Sequence, residues 1–213
     1  DLNRGVYHVL LGEKKASKVI KTDLPCQFDV LPANRHLAGA EVELVKLAER
    51  EHRLRTGLQP ILADYDYVLI DCPPALNLLT VNGFVSAQTV LIPMQCEYFA
   101  LEGLADLVNT LRQLKKTLNP QIEIEGLLRT MFDTRSTLAQ NVSTQLRQHF
   151  ADKVLETIIP RNVRLAEAPS YGLPVLQYDK NARGARAYVQ LAEELLLRHG
   201  KMAIKDEHVK TKT

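Results

Sequence analysis

The sequence predicts an α/β protein built on a doubly wound, mostly parallel sheet, and three observations carry that prediction. Short apolar runs rich in β-branched residues recur along the chain. They are almost continuously hydrophobic, as strands covered on both faces must be. Amphipathic stripes with helical spacing alternate with them, and such alternation builds parallel sheets flanked by helices. At 213 residues the chain is also long enough to bury one sizeable core.

Taken in order, FDVLPA (28–33) is an expected strand and the charge-rich residues 37–62 an expected helix. YVLID (67–71) and TVLIPM (89–94) are the next two strands. Leu101, Leu104, Val108, Leu111, Leu114 and Leu118 then fall on one helical stripe. IEGLLRTMF (124–132) is an expected strand, followed by a helix with the stripe Leu138, Val142, Leu146 and Phe150, capped by Asp133 or Ser136. VLETIIP (154–160) and PVLQY (174–178) complete the strands, and Tyr188, Leu191, Leu195 and Leu196 mark a last helix. One domain is expected over 1–198, with the polar, aperiodic residues 199–213 as a disordered tail.

Composition narrows the function classes. Cys26, Cys72 and Cys96 are odd in number, widely spaced and form no CxxC pair, which argues against a disulfide framework or a zinc site. The six histidines show no HxxxH or HxH pairing. No apolar run approaches the roughly 18 residues that span a membrane, and DLNRGVYHVLLGEKK (1–15) lacks the features of a signal peptide. A cytoplasmic chain is expected. The net charge of +2 does not by itself imply a nucleic-acid partner, but its distribution is uneven. Residues 129–186 carry nine Lys/Arg against five Asp/Glu, a net +4.

The chemistry centres on YDYVLIDCPPALN (65–77). An apolar run ends on Asp71, and two prolines then stop the strand, because neither can donate a ladder hydrogen bond. In open α/β sheets ligands bind beyond the carboxyl ends of the strands, so this carboxylate is expected at the rim of a crevice. A carboxylate there can hold Mg²⁺ beside nucleotide phosphates. The plainer alternative is that Asp71 caps the following segment.

The run from 65 to 104, YDYVLIDCPPALNLLTVNGFVSAQTVLIPMQCEYFALEGL, closely resembles the ParA/Soj partitioning ATPases, a branch of the deviant Walker-type P-loop proteins that also contains MinD. RTMFDTRSTLAQNV (129–142), IPRNVRLAEAPSYGLPVLQYD (159–179) and ARGARAYVQLAEEL (182–195) continue the resemblance, and GVYHVLLGE (5–13) and LPANRHLAGAEVEL (31–44) precede it. It covers residues 1–198 and implies a P-loop NTPase-like fold. The motif that would cradle the phosphates, GxxxxGK[ST], does not occur in these 213 residues, and neither does the family's DxDPQ. The N-terminal strand, loop and helix are therefore expected to be missing from the chain, as in a piece of a longer ATPase, with ATP hydrolysis by these residues alone left in doubt.

The resemblance implies roles for residues that are present. Asp71 would be the Walker B-like acid near Mg²⁺. Gln95 and Glu97 would face a second subunit in an ATP-closed homodimer, and Met131, Pro160, Arg161 and Asn162 would line the adenine pocket. Arg135 and Arg164 match positions that bind DNA non-specifically in the family, which makes the expected location nucleoid-associated. A ParB-type protein would stimulate hydrolysis and release the DNA. Two alternatives stand beside this: a P-loop-less relative that binds DNA or a partner without turnover, and a MinD-like membrane-associated ATPase. The tail HGKMAIKDEHVKTKT (199–213) lacks the apolar face that membrane association needs. A reductase relative with a cluster on Cys72 and Cys96 is less well matched, and both thiols are expected to be packed.

Overall fold

The computed structural model describes residues 5–22, 24 and 28–200. Cys26 and residues 201–213 of the expected tail lie outside the described residues. The chain divides into two compact units, one of the residues up to Val90 with Asp106–Glu123, the other of Leu91–Ala105 with the residues from Ile124 onward.

The first unit is helical where it is regular. Helices α1 (Val6–Leu11) and α2 (Leu37–Leu44) pack together, α3 (Arg53–Leu58) packs on α1, and α4 (Leu78–Ser86) packs on α3. Val9, Leu10, Ala16, Val19, Leu44, Leu54, Leu58 and Ile61 form its core. Two buried asparagines tie the backbone together. Asn82 accepts from Leu54 N at 3.0 Å and donates to Arg50 O and Leu78 O. Asn119 donates to Phe84 O, Val85 O and Ala87 O and accepts from Arg55 Nη2.

Three expectations for this unit need correcting. Residues 37–62 are not one helix: Glu49 takes a left-handed φ of 50° between α2 and α3, and the chain passes into a 3₁₀ turn at Gln59–Asp64 with Pro60 at its start, where proline has no N–H to continue the ladder. FDVLPA contributes only an antiparallel bridge between Lys21 and Val30. YVLID takes no regular structure and joins no ladder among the described residues, and Leu69 is 92% exposed. A strand is defined by its neighbour, and periodicity alone does not supply one.

The second unit holds a three-stranded sheet in the order β1-β2-β3, of strands β1 (Thr89–Gln95), β2 (Glu123–Phe132) and β3 (Val154–Pro160). β2 and β3 are parallel, with Leu127 opposite Val154, Arg129 opposite Ile158 and Phe132 opposite Pro160, and irregularities between those pairs. Helix α9 (Arg183–Arg198) covers β3 and closes a core of Leu128, Leu155, Ile159, Ala187 and Leu191. Ser136, not Asp133, caps α6 (Thr137–Phe150) by accepting from Ala139 N. Helix α5 (Ala100–Thr117), which starts in this unit and from Asp106 belongs to the first, buries Leu104, Val108, Leu111 and Leu114 of its expected stripe. PVLQY, expected as a strand, is instead the single helical turn α8 (Val175–Tyr178) behind Pro174, whose fixed φ suits a helix start. A further short helix, α7 (Val163–Glu167), precedes it.

Candidate functional site

Asp71 ends the apolar run 67–71 in the first unit, and the residues on either side of it lie against α4. A Cβ on Gly83 of α4 would stand 2.7 Å from Cys72 Sγ and 3.5 Å from Ile70 Cγ2, so only glycine admits the residues flanking Asp71 this closely. Beyond the two prolines, Asn77 caps α4, accepting from Thr80 N at 3.0 Å, while the Thr80 hydroxyl donates to Ala75 O at 2.7 Å. The cap of α4 is thus Asn77, and Asp71 is left to other work. Its carboxylate is exposed and makes no hydrogen bond or ion pair among the described residues. Burial, and after it the charge of Asp71, pushes the Cys72 thiol above its ordinary pKa, which keeps that cysteine protonated at neutral pH.

Among the described residues no group of three or more His, Cys, Asp or Glu could hold a metal. A single carboxylate suits Mg²⁺ nonetheless, because that ion keeps several waters and takes its remaining oxygens from phosphates.

In the second unit the C-terminal ends of β2 and β3 bring four expected residues together. Met131 adopts φ 47°, unusual for a residue with a side chain, within the irregular stretch between Arg129 and Phe132. Its side chain is 45% exposed. Pro160 lies opposite Phe132, and Arg161 N donates to Phe132 O at 3.3 Å. Asn162 caps α7, accepting from Leu165 N at 3.3 Å, so its Oδ1 is already engaged and its amide NH₂ is the group left to offer. A Cβ on Gly184 would stand 3.2 Å from that Oδ1, so α9 begins directly against Asn162. Gln95 ends β1, and Glu97 follows in the turn to α5, where Glu97 N donates to Gln95 O. Tyr98 and Phe99 next to them are each about three-quarters exposed and meet edge to face.

Both candidate DNA-binding arginines carry carboxylate partners that sequence reasoning missed. Asp133 accepts from Arg135 three times, from its backbone N at 3.0 Å, its Nε at 3.1 Å and its Nη2 at 2.9 Å. Those hydrogen bonds, the side-chain ones first, hold the Asp133 carboxyl down at about 2. Arg164 Nη1 donates to Glu167 Oε2 at 2.8 Å, and its Nε stands 3.5 Å from Asp179 Oδ2. Tyr178 Oη donates to the same Glu167 oxygen. The spacings D-x-R and R-x-x-E were the available signal. Arg161, Lys180, Arg183 and Arg186 are exposed and make no side-chain ion pair among the described residues, so they carry uncompensated charge in the basic stretch.

A family model described as "AAA domain" matches residues 1–124. The chain is 49% identical over 196 residues to chromosome partitioning protein ParA of Caulobacter vibrioides, covering 91% of this chain and 73% of that one. It is 47% identical over 195 residues to sporulation initiation inhibitor protein Soj of Bacillus subtilis, covering 92% and 77%. Among solved structures, cobyrinic acid a,c-diamide synthase from Mycobacterium smegmatis with bound ATP analog and magnesium is 34% identical with a TM-score of 0.78, over 94% of this chain and 74% of that one. The septum site-determining protein MinD of Pyrococcus horikoshii, complexed with Mg-ADP, is similar in fold, with 23% identity and a TM-score of 0.72 over 96% of this chain and 78% of that one. On these identities the chain belongs to the ParA/Soj family of chromosome-partitioning ATPases.

Proposed function

We propose that the chain works as an ATP-dependent partitioning ATPase that holds DNA non-specifically while dimeric and lets go when a ParB-type partner stimulates hydrolysis. The observation that carries this reading is the exposed, unengaged carboxylate of Asp71 in a chain 49% identical to a ParA. Asp71 would hold Mg²⁺, directly or through its water, with a carboxylate that makes no hydrogen bond or ion pair among the described residues. Met131 and Pro160 offer apolar surface to adenine, Asn162 offers its NH₂, and Arg161 lies beside them. Gln95 and Glu97 face the second subunit. Bound MgATP would supply the phosphoanhydride whose hydrolysis resets the switch. The protein's share of that chemistry is positioning and electrostatics. Arg135 and Arg164 contact phosphates and read no bases. No helix among the described residues is long and apolar enough to cross a membrane.

The test is DNA retention by the full-length gene product with and without MgATP, for the native protein and Asp71→Ala. Retention that requires MgATP and is lost in Asp71→Ala is the expected result. Retention indifferent to both would replace this reading with a DNA-binding relative that does no turnover. Co-sedimentation with anionic vesicles but not with DNA would move the chain to a membrane-associated class.

A further inference from the structure

A second basic cluster lies in the first unit and contains none of the residues assigned above. Residues 14–22 contain four lysines, Lys14, Lys15, Lys18 and Lys21, and no Asp or Glu. The segment is folded. Ala16 and Val19 are 2% and 1% exposed in the unit's core, Lys18 N and Val19 N donate into a 3₁₀ turn, and Lys21 pairs with Val30 through two backbone hydrogen bonds. With the apolar residues anchored inward, Lys15, Lys18 and Lys21 are exposed. Lys15 caps the start of the turn and Lys18 closes it, with Lys18 N donating to Lys15 O at 3.0 Å. Their ammonium groups, and that of Lys21, make no ion pair or hydrogen bond among the described residues. Of the two acids nearest in sequence, Glu13 has its Oε2 2.6 Å from His8 Nδ1, and Asp23 lies outside the described residues.

Like charges gathered on a fixed turn repel one another unless an anion shares them. We propose that Lys15, Lys18 and Lys21 form a second contact for the nucleic-acid backbone, distinct from Arg135 and Arg164; this rests on the DNA-binding reading above. Lysine ammonium groups are point charges that suit phosphate without reading bases. A lipid surface is the poorer fit for the turn itself, since Ser17 is exposed between Lys15 and Lys18, Ala16 and Val19 are buried and Ile20 is half-buried, which leaves residues 15–21 without a bulky exposed apolar side chain to insert.

The test compares the full-length protein with the triple variant K15Q/K18Q/K21Q, by anisotropy of a labelled duplex of arbitrary sequence across a salt series with MgATP. Each phosphate contact contributes about 0.9 to the slope of log K against log salt, so the variant should lose about 2 to 3 from that slope. Its affinity at low salt should fall at least about tenfold, and its circular dichroism should be unchanged. If native protein binds DNA and the variant keeps its slope, the lysine contact is wrong and the DNA-binding reading survives. If native protein shows no DNA binding, that reading itself fails and takes this proposal with it. A variant that keeps DNA but loses anionic vesicles would assign the lysines to lipid and overturn the proposal.

Discussion

Asp133 and Arg135 show how one pair of side chains can both present and restrain a charge. The carboxylate fixes the guanidinium through two side-chain hydrogen bonds and one from the backbone, yet also neutralises it. Because the Asp133 pKa is lowered, to about 2, the pair's contribution is fully present above the ordinary carboxylate value of roughly 3.9. It is lost as pH falls through about 2. An NMR titration of the Asp133 carboxyl should find its midpoint there, and Arg135→Ala should raise it toward the ordinary value of roughly 3.9 without reaching it, because the backbone N–H of residue 135 and the charge of Arg161 still hold it down. If Arg135 meets phosphate, Asp133→Asn should tighten DNA binding about two- to five-fold at low salt, the range that an exposed ion pair commands. Weaker binding would mean that Asp133 matters more for aiming Arg135 than for screening it. Gly83 supplies a separate test at this scale. A methyl there meets Cys72 Sγ at 2.7 Å, so Gly83→Ala should displace the Asp71 segment and cost about 1–3 kcal/mol, as overpacking does. Urea denaturation measures the loss, and MgATP-dependent DNA retention should fall with it.

At the scale of elements, buried asparagines do what helix propensity does not. Asn119 gives the carbonyls of Phe84, Val85 and Ala87, at and just beyond the end of α4, their hydrogen bonds from one buried amide. Asn119→Ala should therefore destabilise the protein by about 2–4 kcal/mol, since buried carbonyls are left without a donor. Asn119→Asp should be no better, because it keeps an acceptor for Arg55 and removes the donor. A urea midpoint for Asn119→Asp equal to that of the native protein would show that acceptance from Arg55 carries the effect. The same elements mark how much of the fold was legible. Helices α5, α6 and α9 were readable from their periodic apolar stripes, and strands β1, β2 and β3 from short, nearly continuous apolar runs, signals that each segment carries within itself. The break at Glu49 was not, since a left-handed residue in a charged stretch leaves no periodic trace. Helix α4 went unread because Leu78–Ser86 is short and its buried positions include Thr80, Asn82 and Gly83, which break an apolar stripe, although Asn77 with Thr80 three residues on was an available cap signal. YVLID was read as a strand from its composition alone, whereas strand identity needs a partner. Of the site, the motif flanked by prolines pointed to Asp71, while the left-handed backbone of Met131 and the carboxylates beside Arg135 and Arg164 exist only once the chain is folded.

Across the whole molecule the charge is segregated rather than scarce. Residues 129–186 net +4 and residues 14–22 net +4, so a chain of net +2 carries −6 on everything else. Such a distribution gives a protein that is nearly neutral to bulk solvent yet has basic surfaces for a polyanion. Arg129 is buried in β2 and Arg147 pairs with Glu156, but Arg135, Arg161, Arg164, Lys180, Arg183, Lys15, Lys18 and Lys21 are exposed on turns, short helices or a helix start. Binding through them should depend on phosphate density and salt, not on base order. Two duplexes of equal length and unrelated sequence should thus bind the full-length protein with Kd values within about twofold, and share one slope of log K against log salt. Base-edge readout by even one bidentate side chain would separate them by about 1–3 kcal/mol, or some five- to hundred-fold. A gap of that size that persists at high salt, where the phosphate term has faded, would show that part of the affinity is sequence-specific. Charge segregation would then explain only how the protein finds DNA, and a base-reading element would have to be sought elsewhere in the chain.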